Sequence, residues 1–495
     1  MKRIGIAGTA ALIAAVAPAA FCVAGSSFAK PPPGLTTKQQ AAIDRYITAE
    51  MARERIPGLE LGVYRHGRPL LEKGYGLANI EWGAKVTPDT VMQSGSVGKQ
   101  FTATAVMMLV EEGKVGLDDS IVKYFPDAPE SWKPIRVKNL LSHTSGLAEY
   151  EEGALAEPGG PFDLRLDFTD EELLKKIEAL PIEYAPGAGW DYRNTNYVLL
   201  GFMVRKVTNR FYGDVLHDRI FAPLGMTRTR VISDADIIPG RAAGYEIKGG
   251  RLRNQSYVSP TFNRTADGAL YFNVRDLQKW DQALYGEALL KRASLQRMWT
   301  PFVLNDGKPN SAGYGFGWGI GKVNGHKVIR HSGSWQGFTT QISRYVDDGL
   351  TVVVLANLDS DHARPGQIEH VVAGTVLPAL MPTPLSPITD TDPAIAAKAR
   401  RMMVAAVAGS DLSPEFVAKS GYTFKPDDGA EFRAALPRAW AASPLVLVKR
   451  SVDDKGATSS AFRVGPPGDT RVVALSTDKT GKAISFQVLA DPDAR

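Results

Sequence analysis

Ser94-Gly95-Ser96-Val97-Gly98-Lys99-Gln100-Phe101-Thr102 opens an apolar run that the residue pattern extends as a buried helix from Ser96 to about Glu112. A serine at a helix start with a lysine three residues on puts both side chains on one face, about a turn apart. The helix N-terminus adds unpaired backbone N–H groups and a partial positive charge, useful where an oxyanion develops. A buried lysine loses pKa and can take the serine proton. Taken alone, the Ser96-x-x-Lys99 tetrapeptide also fits a capped helix with a surface lysine.

Two further stretches change that balance. Trp190-Asp191-Tyr192-Arg193-Asn194-Thr195-Asn196-Tyr197 carries a Tyr-x-Asn element just before a helix predicted over Thr195–Lys206. Arg330-His331-Ser332-Gly333-Ser334 lies among strands predicted at Gly313–Ile320, Lys327–Arg330, Thr339–Tyr345 and Leu350–Leu355, an antiparallel meander. Upstream, Leu59–Tyr64 and Leu70–Tyr75 read as a hairpin after an amphipathic helix from Thr37 to Arg55. A helix from Gly366 to Leu380 closes the unit. The fold class is therefore α/β (α+β): a central antiparallel sheet flanked by helices, with a mostly helical insert between about 120 and 265. Residues 30–380 form this body, 381–393 a proline-rich linker, and 394–495 a small C-terminal α+β domain of one helix and four strands.

The order and context of the three motifs resemble the serine β-lactamase and penicillin-binding-protein superfamily, closest to its class C-like branch, which includes esterases and D-aminopeptidases. The resemblance runs over about residues 40–380 and takes in Leu140-Leu141-Ser142-His143-Thr144-Ser145-Gly146-Leu147 and Ala266-Asp267-Gly268-Ala269-Leu270. It implies Ser96 as nucleophile, Lys99 as its proton partner, and Tyr192 as general base, its phenolate held well below the ordinary tyrosine pKa. Asn194 would hold the lysine and the substrate, and the Ser96 and Ser334 backbone N–H groups would form the oxyanion hole. Gly333 would let substrate approach the strand. His331 stands where penicillin-recognising members more usually carry lysine, and would line the site and assist the tyrosine. His143 reads as a structural turn residue, and Asp267 and Trp335 as borders of the pocket. No cofactor or metal is implied.

The implied activity is acyl transfer from a small ester, amide or D-amino-acid peptide. Two alternatives stay open: turnover of penicillin- or peptidoglycan-like substrates, and a non-catalytic binding protein on the same fold. A neutral histidine in place of a permanent cation weighs against the first. Retention of all the motif residues weighs against the second.

Bulk properties exclude other classes. Met1-Lys2-Arg3, the apolar run from Ile4 to Val23 and Ser27-Phe28-Ala29 read as a secretory leader over residues 1–29, so the mature protein is expected to be exported, periplasmic or secreted. Its loss takes the formal charge from +5 to about +3. No basic block with interleaved aromatics points to nucleic acid. Cys22 is the only cysteine, so cleavage leaves none for disulfides or thiolate metal sites. No stretch after the leader is long and apolar enough to span a bilayer. The seven histidines form no His-Glu-x-x-His pattern, and Ser94 breaks a Gly-x-Ser-x-Gly elbow. The oligomeric state stays open.

Overall fold

The computed structural model describes residues 34–359, 363–382, 385–417, 436, 440, 442–453, 456–466 and 470–490. The leader at 1–29, with Cys22, lies outside the described residues. The chain enters α1 (Thr37–Glu54) through a capping box in which Thr36 accepts from the Gln39 N–H. A hairpin follows, β1 (Gly58–Arg65) and β2 (Arg68–Asn79), with β3 (Ala84–Lys85) at its outer edge. The helical side is built on α2 (Lys99–Glu111), α3 (Asn194–Thr208) and α4 (Val274–Ala283). The meander is β4 (Gly319–Val323), β5 (His326–Trp335), β6 (Phe338–Tyr345) and β7 (Leu350–Ala356), closed by α5 (Pro365–Val376).

These strands make one seven-stranded antiparallel sheet in the order β3-β2-β1-β7-β6-β5-β4. The N-terminal hairpin joins the meander through β1 and β7, paired from Leu59↔Ala356 to Arg65↔Leu350. Strand β7 is buried along its whole length because both of its faces are covered. Val352, Val354 and Ala356 pack with Ile43 and Ile47 of α1 and Ile368 and Val372 of α5, whereas Val353 and Leu355 join Phe101 and Trp280 on the helical side. This period of two places α2, and the serine before it, against the sheet.

Three local readings of the sequence change. The α-helix begins at Lys99, and Gly95–Gly98 is a 3₁₀ turn, so Ser96 sits in the tight turn ahead of the helix. The strand expected over 313–320 starts only at Gly319, because Gly313 (φ 63°) and Gly317 (φ 75°) turn the chain back. The insert also holds a strand pair, Tyr245–Lys248 with Arg251–Asn254, across the Gly249-Gly250 turn.

At the C-terminal end, α6 (Pro393–Ala408) packs on a four-stranded antiparallel sheet of β8 (Val446–Val452), β9 (Thr458–Val464), β10 (Arg471–Thr477) and β11 (Ala483–Ala490). Its core is its own: Met402, Met403, Leu447, Phe462, Val473, Leu475 and Phe486. Among the described residues no helix is long and apolar enough to cross a membrane.

One buried ion pair ties the helical layer to the sheet. Arg344 of β6 donates through Nε to Asp281 of α4 at 2.7 Å, and the Thr351 hydroxyl of β7 donates to the same carboxylate oxygen at 2.7 Å. Both charged side chains are almost wholly buried. Removing one partner strands the other in a dry interior. Asp281→Ala is expected to lower stability by about 3–5 kcal/mol, read as a fall in the urea midpoint; a loss below about 1 kcal/mol would place this pair with ordinary surface ion pairs.

Candidate active site

Ser96 is delivered by a turn that only glycines permit. Gly95 has φ 49°, and a Cβ there would stand 2.3 Å from the Ser334 nitrogen. A Cβ on Gly333 would stand 2.2 Å from the Ser94 carbonyl oxygen and 2.9 Å from the Ser96 nitrogen. The glycine expected to admit substrate thus first admits the nucleophile turn itself. The Thr340 hydroxyl secures the approach by donating to the Ser94 carbonyl at 2.7 Å. The backbone N–H groups of Ser96 and Ser334 are thereby brought to one place.

Lys99, the first α-helical residue, is fully buried. Its Nζ donates to Ser96 Oγ (2.9 Å), Asn194 Oδ1 (2.7 Å) and the Asp267 carbonyl (2.5 Å). Burial lowers the ammonium to about 8, opposed by the carboxylates of Asp267, Glu151 and Glu149. Asn194 is itself oriented: its side-chain NH₂ donates to Glu151 at 3.0 Å, and its backbone N–H donates to Glu149. Burial, with Asp267 and Glu149 nearby, pushes Glu151 up to about 8, while the Tyr150 hydroxyl donates to it at 2.5 Å.

Tyr192 lies beside this pair, its ring centroid 4.9 Å from Lys99 Nζ. Burial drives its phenol well above the usual range; the neighbouring Ser96 hydroxyl opposes this, and Asp267, Glu149 and Glu151 reinforce it. No well-formed hydrogen bond satisfies the phenol oxygen among the described residues. Burial is thus the first factor against the resting phenolate expected from the resemblance, and the acidic cluster of Asp267, Glu149 and Glu151 adds to it.

His331 is buried and bonded at both nitrogens. The Ser332 carbonyl can only accept, so Nδ1 carries the proton (2.6 Å) and Nε2 accepts from the Tyr314 hydroxyl (2.8 Å). Burial, and then Lys99, lowers the imidazole to about 4, so it is neutral at pH 7. Its ring centre is 6.1 Å from that of Tyr192.

The structure brings together Ser96, Lys99, Tyr192, Asn194, His331, Gly333 and Ser334 from three separate segments. It adds Tyr314, Glu149 and Glu151, which sequence reasoning passed over, and places His143, read there as a structural turn residue, against Tyr192. Tyr314 comes from the irregular glycine-rich stretch before β4. His143, in a left-handed conformation (φ 58°), stacks at 4.3 Å on Tyr192 and accepts the Arg193 N–H at 3.2 Å. It is a positioning residue for the tyrosine. Glu149 and Glu151 followed a motif already quoted, but nothing in their spacing shows that they turn inward.

Two spaces meet at Ser96. A cavity of about 1140 Å³ opens past Tyr192 and His331. The other is a small recess between Gly95, Asn194, Glu151, Asp267 and Trp335. Buried Asp267 Oδ1 has no hydrogen-bond partner among the described residues.

Residues 43–377 match the family described as Beta-lactamase. Penicillin-binding protein 4* of Bacillus subtilis (strain 168) is 28% identical over 326 residues, covering 62% of this chain and 70% of that protein. Among solved structures, the octameric penicillin-binding protein homologue from Pyrococcus abyssi superposes with a TM-score of 0.61 at 25% identity, covering 88% of this chain and 90% of the other. The D-amino acid amidase from Ochrobactrum anthropi SV3 superposes with a TM-score of 0.59 at 26% identity, covering 70% and 99%. The family match spans well over half of the sequence and includes every residue gathered around Ser96, and the chain belongs to the Beta-lactamase family.

Proposed function

We propose that the chain is an exported serine hydrolase that forms an acyl-enzyme on Ser96 and cleaves a small amide, ester or D-amino-acid peptide. The observation that carries this reading is the buried Lys99 amine, 2.9 Å from Ser96 Oγ and lowered to about 8. A neutral amine there takes the hydroxyl proton as Oγ attacks the substrate carbonyl carbon. The oxyanion that forms is met by the Ser96 and Ser334 backbone N–H groups. Tyr192, a phenol at rest, passes a proton to the leaving nitrogen or oxygen as its bond to the carbonyl carbon breaks, and is reprotonated from Lys99. Water then attacks the acyl-enzyme, gives its proton to the same base, and releases the acid and Ser96. His331, neutral and held by Tyr314, bounds the leaving-group side without supplying charge.

Tyr192 delivers the proton, so the wide cavity beside it takes the leaving group and the small recess takes the acyl substituent. The unpartnered Asp267 oxygen offers an acceptor for an ammonium group there, which favours an amino-acid amide or peptide. The D-amino acid amidase likeness supports the same choice. Export is supported by the basic, apolar and small-residue pattern of residues 1–29.

Mixing the protein with an activated short-chain ester and recording intact mass is expected to give a transient acyl adduct that Ser96→Ala cannot form. Turnover that survives in Ser96→Ala would sink the mechanism. The acidity of Lys99 sets the pH dependence: protonated it cannot accept, so kcat/KM is expected to rise through about pH 8 and level off above it. A profile flat across that range would assign the base elsewhere. Tyr192→Phe is expected to lower kcat by about 10²–10⁴-fold for an amide, and by less for an ester whose leaving group departs without a proton.

A further inference from the structure

The wide cavity is not closed by the family fold alone. Its far wall is Lys449, Ala461 and Val472 of the C-terminal sheet. The sheet is fixed there by the Arg364 guanidinium, which donates to the Val488 carbonyl at 3.2 Å, and by Arg450, paired with Asp390 at 2.6 Å. Arg364 also donates its backbone N–H to Glu54 at the end of α1, so the joint reaches three parts of the chain.

Pairing in this sheet shows how Lys449 comes to face the cavity. Leu447 pairs with Phe462, and both belong to the core under α6. Without interruption Lys449, two residues on, would share that buried face. A bulge at Val448 shifts the register, and Lys449 pairs with Ala461, on the opposite face, which borders the cavity. Bulges of one residue re-aim the side chains beyond them. The Lys449 side chain forms no ion pair or hydrogen bond with any described residue. Among the described residues the cavity contains no carboxylate, and its charged side chains are Lys449 and the already engaged Arg364. His370 adds no charge at neutral pH, since burial lowers its imidazole.

We propose that Lys449 selects substrates whose leaving group ends in a carboxylate, receiving that group across the cavity from Ser96. This rests on the hydrolase reading and deepens it by naming the substrate class. The strand itself presents neutral His331, so the cation for an anionic leaving group stands on the added sheet instead. A cavity of about 1140 Å³ exceeds the roughly 300–1,000 Å³ of common ligand sites, room for a leaving group of more than one residue.

The test compares tri-D-alanine with its C-terminal amide, each measured both as substrate and as inhibitor of a small neutral ester. Wild type is expected to favour the free carboxylate by about tenfold or more in kcat/KM or inhibition constant. Lys449→Ala is expected to remove the preference, Lys449→Glu to reverse it and Lys449→Arg to keep it, all with unchanged neutral-ester turnover. Ester turnover lost in Ser96→Ala but equal handling of the two peptides by wild type would overturn the role of Lys449 and leave the hydrolase reading standing. A preference that persists in Lys449→Glu would overturn it as well. Absence of any Ser96-dependent turnover would remove the hydrolase reading and this inference with it.

Discussion

A lysine with no solvent exposure is the constraint from which the site follows. Desolvation penalises the Lys99 ammonium, yet the chain surrounds it with Glu149, Glu151 and Asp267, which oppose that penalty. The result is a group poised between charged and neutral, beside a hydroxyl it could deprotonate. The same carboxylates work against ionisation of Tyr192. One arrangement therefore moves the two groups in opposite directions: the Lys99 ammonium down to about 8 and the Tyr192 phenol up. In the proposed mechanism Tyr192 accordingly carries protons between atoms, with Lys99 as their store.

Holding this arrangement requires backbone to touch backbone. The Ser94–Ser96 turn rests on β5 at a separation no side chain would allow at Gly95 or Gly333. Sheet register is thus part of the site. A slip of one residue in β5 against β6 would turn Gly333 away and present Ser332 or Ser334 to the turn. The pairing of β1 with β7 and the Arg344–Asp281 tie resist such a slip, because they join the sheet's centre to the hairpin and the helical layer.

Legibility in the sequence tracked how local the physics is. Ser96 and Lys99 are three residues apart on one turn, and the alternating apolar strands declare their period, so the last three strands of the meander and the helices around it were readable. Tyr314 was hidden because Gly-Tyr-Gly-Phe-Gly-Trp-Gly alternates like a strand, while the positive φ at Gly313 and Gly317 folds it into turns. Glu149 and Glu151 carry no signal of their own in the sequence, since only the long-range seating of residues 148–152 against Asn194 and Thr195 turns them inward. The phenolate expectation rests on the lysine visible in the motif, whereas burial and the acidic cluster that tertiary structure brings beside Tyr192 act in the other direction.

Lys449 is the strongest case of a residue invisible to pattern. Leu445-Val446-Leu447-Val448-Lys449-Arg450 reads as one strand whose odd positions share a face, which would put Lys449 beside Leu447 in the core. A buried lysine without a partner is costly, and the bulge at Val448 resolves the conflict by reversing the parity of everything after it. The reversal also gives a positive charge to a cavity whose other polar lining, among the described residues, is neutral apart from the engaged Arg364. A sheet that served only to cover the catalytic body would be as stable with a neutral residue at that position. On the proposal that Lys449 receives a leaving-group carboxylate, the charge answers to what enters the cavity and not to what holds the sheet together.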